Sequence, residues 1–78
     1  MKRFFFDIDD GDRKIRDEKG VKAASLTEVR AGAVAALPDI LQELSCGEDE
    51  KRLTLSVRDE TDQVVLRLTV TIDIATFR

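Results

Sequence analysis

Residues 3–17 read RFFFDIDDGDRKIRD and predict a β-hairpin from which the rest of the fold can be built. Before the turn, apolar side chains occupy every second position, which is the period of a strand with one buried face: Phe4, Phe6 and Ile8. The dipeptide Asp10-Gly11 is typical of a two-residue type I′ turn, which needs positive φ at both positions. This turn predicts three cross-strand pairs: Asp7 with Lys14, Phe6 with Ile15, and Phe5 with Arg16.

A second alternating segment spans residues 51–74, with a turn at residues 59–62. Its apolar positions again share one face: Leu53, Leu55, Val57, Val64, Leu66, Leu68, Val70, Ile72 and Ile74. Pairing Val57 with Val64 sets apolar residues opposite each other at each step: Leu55 with Leu66 and Leu53 with Leu68. In that register residues 71–74 extend past their partner, and we expect the first hairpin or a second subunit to pair with them.

The segment between the two hairpins predicts one amphipathic helix. Ser25-Leu26-Thr27-Glu28 fits a capping box, in which the serine hydroxyl and the glutamate carboxylate each accept from a free amide. An apolar stripe follows at spacings of three and four: Leu26, Val29, Ala33, Leu37, Ile40 and Leu44. Pro38 lacks an amide donor and predicts a kink or a break, and Gly47 is expected to end the helix near Cys46. Residues 18–24 are expected to be a connector.

The order strand, strand, helix, strand, strand predicts an α+β fold in two layers. We expect a four-stranded sheet with one Pro-kinked helix on one face. At 78 residues the chain is expected to form a single small domain over residues 1–78. Its core is modest, so a partner or a dimer would help to stabilise it.

Composition argues against catalysis. The chain has no histidine, tyrosine or tryptophan, and its lysines lie in polar stretches, so we expect no nucleophile–base pair, no enzyme activity and no cofactor. The lone Cys46 excludes an internal disulfide and indicates a cytoplasmic protein, and the acidic residues after it disfavour a reactive thiolate. No apolar stretch approaches the length of a leader or a membrane span, so no membrane association is expected.

Four aspartates surround Gly11 and raise the question of a calcium loop: Asp7, Asp9, Asp10 and Asp12. An EF-hand loop with glycine at position 6 needs ligands at positions 1 and 3. In this chain those two positions are Phe6 and Ile8, so the pattern does not match. The aspartates are instead expected to serve the turn, and no metal site is predicted.

The outward face of the predicted sheet is the candidate binding face, because six basic residues and one aromatic ring lie there: Arg3, Phe5, Lys14, Arg16, Arg52, Arg58 and Arg67. Cations with an aromatic ring suit single-stranded RNA or DNA. However, Phe5 is the single ring, and the net charge of −3 disfavours polyanion binding. Phe5 is expected to contact Arg16 in a cation–π pair. A solvated face, a face that meets a protein, or the acidic side of the helix are the alternatives.

Three stretches carry a resemblance to a known family: FFFDIDDG…IRDEKG, SLTEVRAGAVAAL and LSVRDETDQVVLRL. Together they resemble a family of small uncharacterised bacterial proteins that begin with an F-F-D-x-x-D-G hairpin followed by an R-D-x-x-G turn. The resemblance implies a small cytoplasmic bacterial protein and carries no activity. Pro38 departs from the uninterrupted helix that such a chain would have. The hairpin and capped helix also look like the N-terminal half of HicB-type antitoxins, which implies inhibition of a small ribonuclease.

These observations favour a non-enzymatic cytosolic protein-interaction module that self-associates, with a protein partner or a homodimer as the expected assembly. RNA or single-stranded DNA binding through the basic face is the alternative, and an antitoxin-like inhibitor is a further one.

Overall fold

The computed structural model describes residues 1–44 and 50–77, without the side chains of residues 43 and 44. Its elements in chain order are β1 (Lys2–Asp9), β2 (Lys14–Ile15), β3 (Val21–Ala23), α1 (Leu26–Leu44), β4 (Glu50–Arg58) and β5 (Val64–Asp73). The predicted α+β class is confirmed. The four-stranded layout is wrong, because the segment predicted as a connector contains β3, which gives the sheet five strands.

The sheet is antiparallel and is organised around β1. One edge of β1 pairs with β4, and its other edge pairs first with β3 and then with β2. The strand order is β2-β1-β4-β5, with β3 on the same side of β1 as β2. In the described part of the chain, β5 therefore has a strand neighbour on one side only, which is β4.

The first hairpin has a register different from the predicted one. Ile8 lies opposite Ile15 and Asp9 opposite Lys14, so a four-residue loop replaces the two-residue turn. The Asp10 carboxylate causes this, because its Oδ1 accepts from the backbone amides of Asp12 at 3.0 Å and Arg13 at 2.7 Å. A shift of two positions leaves every side chain on its predicted face but changes each partner.

The second hairpin is also shifted by two positions. Leu55 lies opposite Leu68 rather than Leu66. The turn accounts for one position, because Arg58 lies opposite Val64 rather than Gln63, and the bulge at Val57/Arg58 accounts for the other by inserting Val65 into β5. Since β4 begins at Glu50, it pairs with β5 as far as Asp73. The prediction that residues 71–73 need another neighbour to pair with is therefore wrong, and Ile74 lies beyond the ladder.

The helix begins at the predicted cap. The Ser25 hydroxyl accepts from the Glu28 amide, and the Glu28 carboxylate accepts from the Ala24 amide, both at 3.3 Å. The helix continues through Pro38, so no break occurs there, while the kink stays a prediction. The predicted end at Cys46 and Gly47 lies outside the described residues.

The core forms where the first half of the helix packs on the sheet. Val29 and Ala33 are buried as predicted, whereas Leu26 is 43% exposed and Leu37 and Ile40 are half-buried. Val29 joins Phe4, Ala23 and Val57 in one apolar cluster. Leu53 and Leu55 are fully buried on the same face of β4. No helix in the described part of the chain combines the length and apolarity needed to cross a bilayer.

Candidate functional site

The open face of the sheet, which lies opposite the helix, is dominated by a buried arginine. Arg58 ends β4 and is only 6% exposed. Its Nε and Nη2 both donate to the Asp7 carboxylate, Nη2 to Oδ1 at 3.1 Å, while Nη1 donates to Asp62 Oδ1 at 2.6 Å. Nη2 also donates to the Asp17 carbonyl at 2.8 Å. Such a two-point guanidinium–carboxylate contact orients both side chains and holds the strands in register.

Phe5 and Arg16 complete this group, which we term the Arg58 cluster: Phe5, Asp7, Arg16, Asp17, Arg58 and Asp62. The Arg58 guanidinium carbon lies 4.8 Å from the centre of the Phe5 ring. Arg16 instead binds Asp62 at 3.1 Å. The predicted Phe5–Arg16 cation–π contact is therefore wrong, because Arg58 lies over the Phe5 ring. The predicted pairing of Asp7 with Lys14 is also wrong, because Asp7 binds Arg58 and Lys14 lies opposite Asp9.

Asp17 ties the loop after β2 to the middle of β1. Its carboxylate accepts from the amide of Phe6 at 3.1 Å, Lys19 at 3.0 Å and Gly20 at 3.1 Å. Gly20 has a φ of +72°, and a Cβ there would lie 2.8 Å from the Phe4 carbonyl oxygen. The loop therefore needs an acceptor at residue 17 and a glycine at residue 20 for local structural reasons.

The pKa values of the Asp7 and Asp17 carboxyl groups reflect these contacts. Burial acts to raise the pKa of Asp7, but the hydrogen bonds from Arg58 and the Asp17 amide, together with nearby positive charge, bring it below its usual value. Burial likewise acts to raise the pKa of Asp17, and the three amides that it accepts from bring it down. The hydrogen bond to Asp7 holds the pKa of Arg58 above its usual value. At neutral pH Asp7, Asp17 and Arg58 are thus ionised.

A second ionic contact joins the first turn to the start of β4. Asp10 is buried, and its Oδ2 lies 3.8 Å from Lys51 Nζ and 3.9 Å from Arg13 Nε. The hydrogen bond from the Arg13 amide is the main cause that lowers the pKa of Asp10. Asp9 accepts from the Gly11 amide at 2.9 Å. The turn role predicted for Asp9 and Asp10 is confirmed, while Asp7 serves the Arg58 cluster instead.

The structure divides the seven residues of the predicted binding face. Phe5, Arg16 and Arg58 are engaged in the Arg58 cluster, and Arg3 donates to the Lys19 carbonyl at 2.6 Å. The other three are exposed on the open face: Lys14, Arg52 and Arg67. Arg67 donates to the Ser56 hydroxyl at 3.3 Å. Outside the Arg58 cluster, the predicted binding face therefore keeps three exposed cations, and the Arg58 guanidinium covers one side of the Phe5 ring.

A shallow cleft of about 380 Å³ crosses β1 on the open face. Two acids and two bases line it: Asp7, Asp9, Lys14 and Arg16. Asp7 and Arg16 are already paired with Arg58 and Asp62, so the cleft offers little unpaired charge to a ligand. Within residues 1–44 and 50–77, no group of three or more His, Cys, Asp or Glu side chains is placed to hold a metal ion.

The free edge along the whole of β5 was not predicted from the sequence, which indicated an unpaired segment at residues 71–74 only. β5 has ten residues. From Leu66 to Asp73 its side chains alternate strictly between the two faces, and this stretch contains no proline and no bulge. The end of the hairpin also projects, because β1 stops at Asp9, opposite Thr54. Residues 50–53 and 70–73 thus form a two-stranded ribbon beyond the rest of the sheet. The signal was present in the length of the alternation, but the edge position of β5 depends on the strand order.

The family model described as Domain of unknown function (DUF6894) matches residues 3–71. The chain belongs to this family. No curated protein and no solved structure matches it. The DUF6894 match contains the whole Arg58 cluster and all of β5 except its last two residues. The predicted membership of a family of unknown function is confirmed, whereas the motif and the HicB likeness stay predictions.

Proposed function

We propose that this DUF6894 chain is a non-enzymatic protein-interaction module of the cytoplasm that self-associates through the free edge of β5. The observation that carries the proposal is the ten-residue strand β5, which among the described residues has a strand neighbour on one side only. An unpaired edge of this length presents a row of amide and carbonyl groups, and natural sheets protect such edges or use them to bind another strand.

The shape of the molecule supports this use of the edge. The Cα radius of gyration is 13.9 Å, whereas a compact chain of this length would have roughly 11.5 Å. The molecule is elongated, with principal extents of 52 × 22 × 17 Å. The ribbon at residues 50–53 and 70–73 extends past the part of the sheet that includes β1. The ribbon has only two strands where the rest of the sheet has three or more, so an added strand would stabilise it through further cross-strand hydrogen bonds.

The Arg58 cluster supports a structural role rather than a chemical one. Its charged groups satisfy each other, and no buried side-chain nitrogen or oxygen in the described residues lacks a hydrogen-bond partner. Phe5 already has Arg58 over its ring, which leaves one ring face for a base. Nucleic-acid binding through Lys14, Arg52 and Arg67 is therefore the weaker alternative, since single-strand binders stack bases on several rings.

Sedimentation equilibrium over a range of protein concentrations tests the proposal. We expect reversible dimerisation of the wild-type chain and weaker dimerisation of Thr69→Lys, because a lysine on an edge strand opposes strand addition. Thr54→Lys is the matched control. Thr54 lies directly opposite Thr69 on the inner strand β4, so the added charge is the same but does not lie on the free edge.

Two results would contradict the proposal. One is a strictly monomeric wild-type chain at all concentrations, and the other is equal weakening of association by Thr69→Lys and Thr54→Lys. Binding to a mixed-sequence single-stranded oligonucleotide that weakens steeply with salt would support the nucleic-acid alternative instead. Co-purification with a small ribonuclease would support the antitoxin-like alternative.

A further inference from the structure

We propose that β5 pairs antiparallel with β5 of a second copy, with Val70 of each chain at the two-fold axis. This inference rests on the proposed self-association and assigns its register. It joins the two sheets into one continuous antiparallel sheet, in the order β2-β1-β4-β5 followed by the same strands reversed. Because the axis is perpendicular to the sheet, both helices lie on the same face of the joined sheet.

Charge complementarity selects this register. With Val70 opposite its own copy, Arg67 lies opposite Asp73 of the second copy, and symmetry makes this pair twice. Moving the axis to Arg67 or to Asp73 would instead place like charges opposite each other. Moving it to Thr69 or to Thr71 leaves both charges opposite an uncharged residue. The other pairs in the chosen register also match: Leu68 with Ile72 on the apolar face and Thr69 with Thr71 on the open face.

The unpaired charge at the end of the ribbon points to the same register. Within one chain, Asp73 lies directly opposite Glu50, so two carboxylates face each other across the strands. Neither of them forms an ion pair within the described part of the chain. Arg67 of the second copy would bring a positive charge to this acidic pair. Its guanidinium has further donors, because among residues 1–44 and 50–77 it donates from Nε alone, to Ser56.

The overlap also supports the ribbon. In this register residues 70–73 of one chain pair with residues 67–70 of the second copy. Those residues of β5 are backed by residues 53–56 of β4, most of which are backed in turn by β1. The projecting part of each chain thus lies against the wider sheet of the other. The contact extends over the seven residues 67–73 of β5, roughly 24 Å at the rise of an antiparallel strand.

A charge exchange across the two-fold axis tests the register. Arg67→Glu and Asp73→Arg each place like charges opposite in their own dimer, so each variant alone should dimerise at least about tenfold more weakly, or ~1.4 kcal/mol. An equimolar mixture of the two should dimerise about as tightly as wild type, since both symmetry-related pairs in the mixed dimer are then of opposite charge. The double variant should recover as a homodimer for the same reason.

Arg52→Glu is the control, because Arg52 is exposed on β4 and changes the net charge as Arg67→Glu does. It should alter the dissociation constant by less than about threefold. Circular dichroism checks that each variant is folded. A wild-type dimer that Arg52→Glu and Arg67→Glu weaken equally, or a mixture no tighter than its components, overturns the register and leaves the proposed function standing. A monomeric wild-type chain overturns both.

Discussion

Replacing each of three glycines with alanine should change stability in three different ways, because their backbones and surroundings differ. At Gly20, φ is +72° and an added Cβ would lie 2.8 Å from the Phe4 carbonyl oxygen. At Gly11, φ is +94° but no heavy atom lies within 4 Å of the added Cβ. Gly32 lies inside α1, and its added Cβ also has no neighbour within 4 Å. The series therefore separates backbone strain, steric overlap and helix propensity.

Gly20→Ala should be the most costly of the three. A left-handed backbone costs alanine about 1–2 kcal/mol, and overlap with a neighbouring group adds about 1–3 kcal/mol. The overlap is difficult to relieve, because Phe4 is held in β1 opposite Val21. A less flexible unfolded chain returns about 0.4–1 kcal/mol. The net loss is about 2–4 kcal/mol, against about 1 kcal/mol for Gly11→Ala and a gain of about 1 kcal/mol for Gly32→Ala.

Urea unfolding followed by circular dichroism at one protein concentration measures the three changes. With a slope of about 1 kcal/mol per molar urea, the midpoint should fall by about 2–4 M, fall by about 1 M and rise by about 1 M, respectively. Gly20→Ala is best measured in the Gly32→Ala background, which preserves a folded baseline. If Gly20→Ala costs no more than Gly11→Ala, the close approach of residue 20 to β1 is not what requires glycine, and the reasoning fails.

Two further predictions concern the core and the Arg58 cluster. Leu55→Ala should cost about 3 kcal/mol because Leu55 is fully buried, whereas Leu26→Ala, at an exposed position, should cost less than about 1 kcal/mol in the same urea assay; equal costs would contradict the burial. Asp7 has a folded pKa below its ordinary value of 3.8, so its carboxylate stabilises the fold above that value and this contribution is lost as the pH falls through the folded pKa. Asp7→Asn should therefore lower the free energy of unfolding at neutral pH. It should also reduce the loss of stability as the pH falls from neutral through the folded pKa of Asp7. If the urea midpoint of the variant depends on pH as that of the wild type does, this role for Asp7 is refuted.

The faces of the strands were predictable, and the registers were not. The apolar positions from Phe4 to Ile8, from Leu53 to Val57 and from Leu66 to Leu68 lie on their predicted side of the sheet, whereas the bulge packs Val65 rather than Val64 against the core. Both hairpins nevertheless pair two residues away from their predicted register. Alternation has a period of two, so a shift by two residues satisfies it equally well. The Asp10 carboxylate sets the register of the first hairpin, and a turn longer by one residue together with the Val65 bulge sets that of the second.

The face on which the residues of the candidate site lie was predicted from the sequence, but the contacts between them were not. Arg58 and Phe5 were expected on the open face, and they lie there. Asp7, which binds Arg58, lies 51 residues away in sequence. Asp62 also binds Arg58, from a turn in which the φ of Asp62 is +68°. An aspartate tolerates that backbone conformation, which is the one local signal in the sequence. Pairing over such separations depends on β1 lying beside β4, which no local pattern specifies.

The sequence by itself determined the elements that depend on neighbouring residues: the capped start of α1, the alternating faces and the α+β class. These follow from hydrogen bonds over a few residues and from the period of apolar side chains. Only the tertiary structure decided that β3 joins the sheet, that Arg58 is buried among carboxylates, and that β5 lies at an open edge. Strand order brings together segments far apart in the chain, and several orders bury the same apolar faces. The edge available to a second copy is therefore a property of the fold.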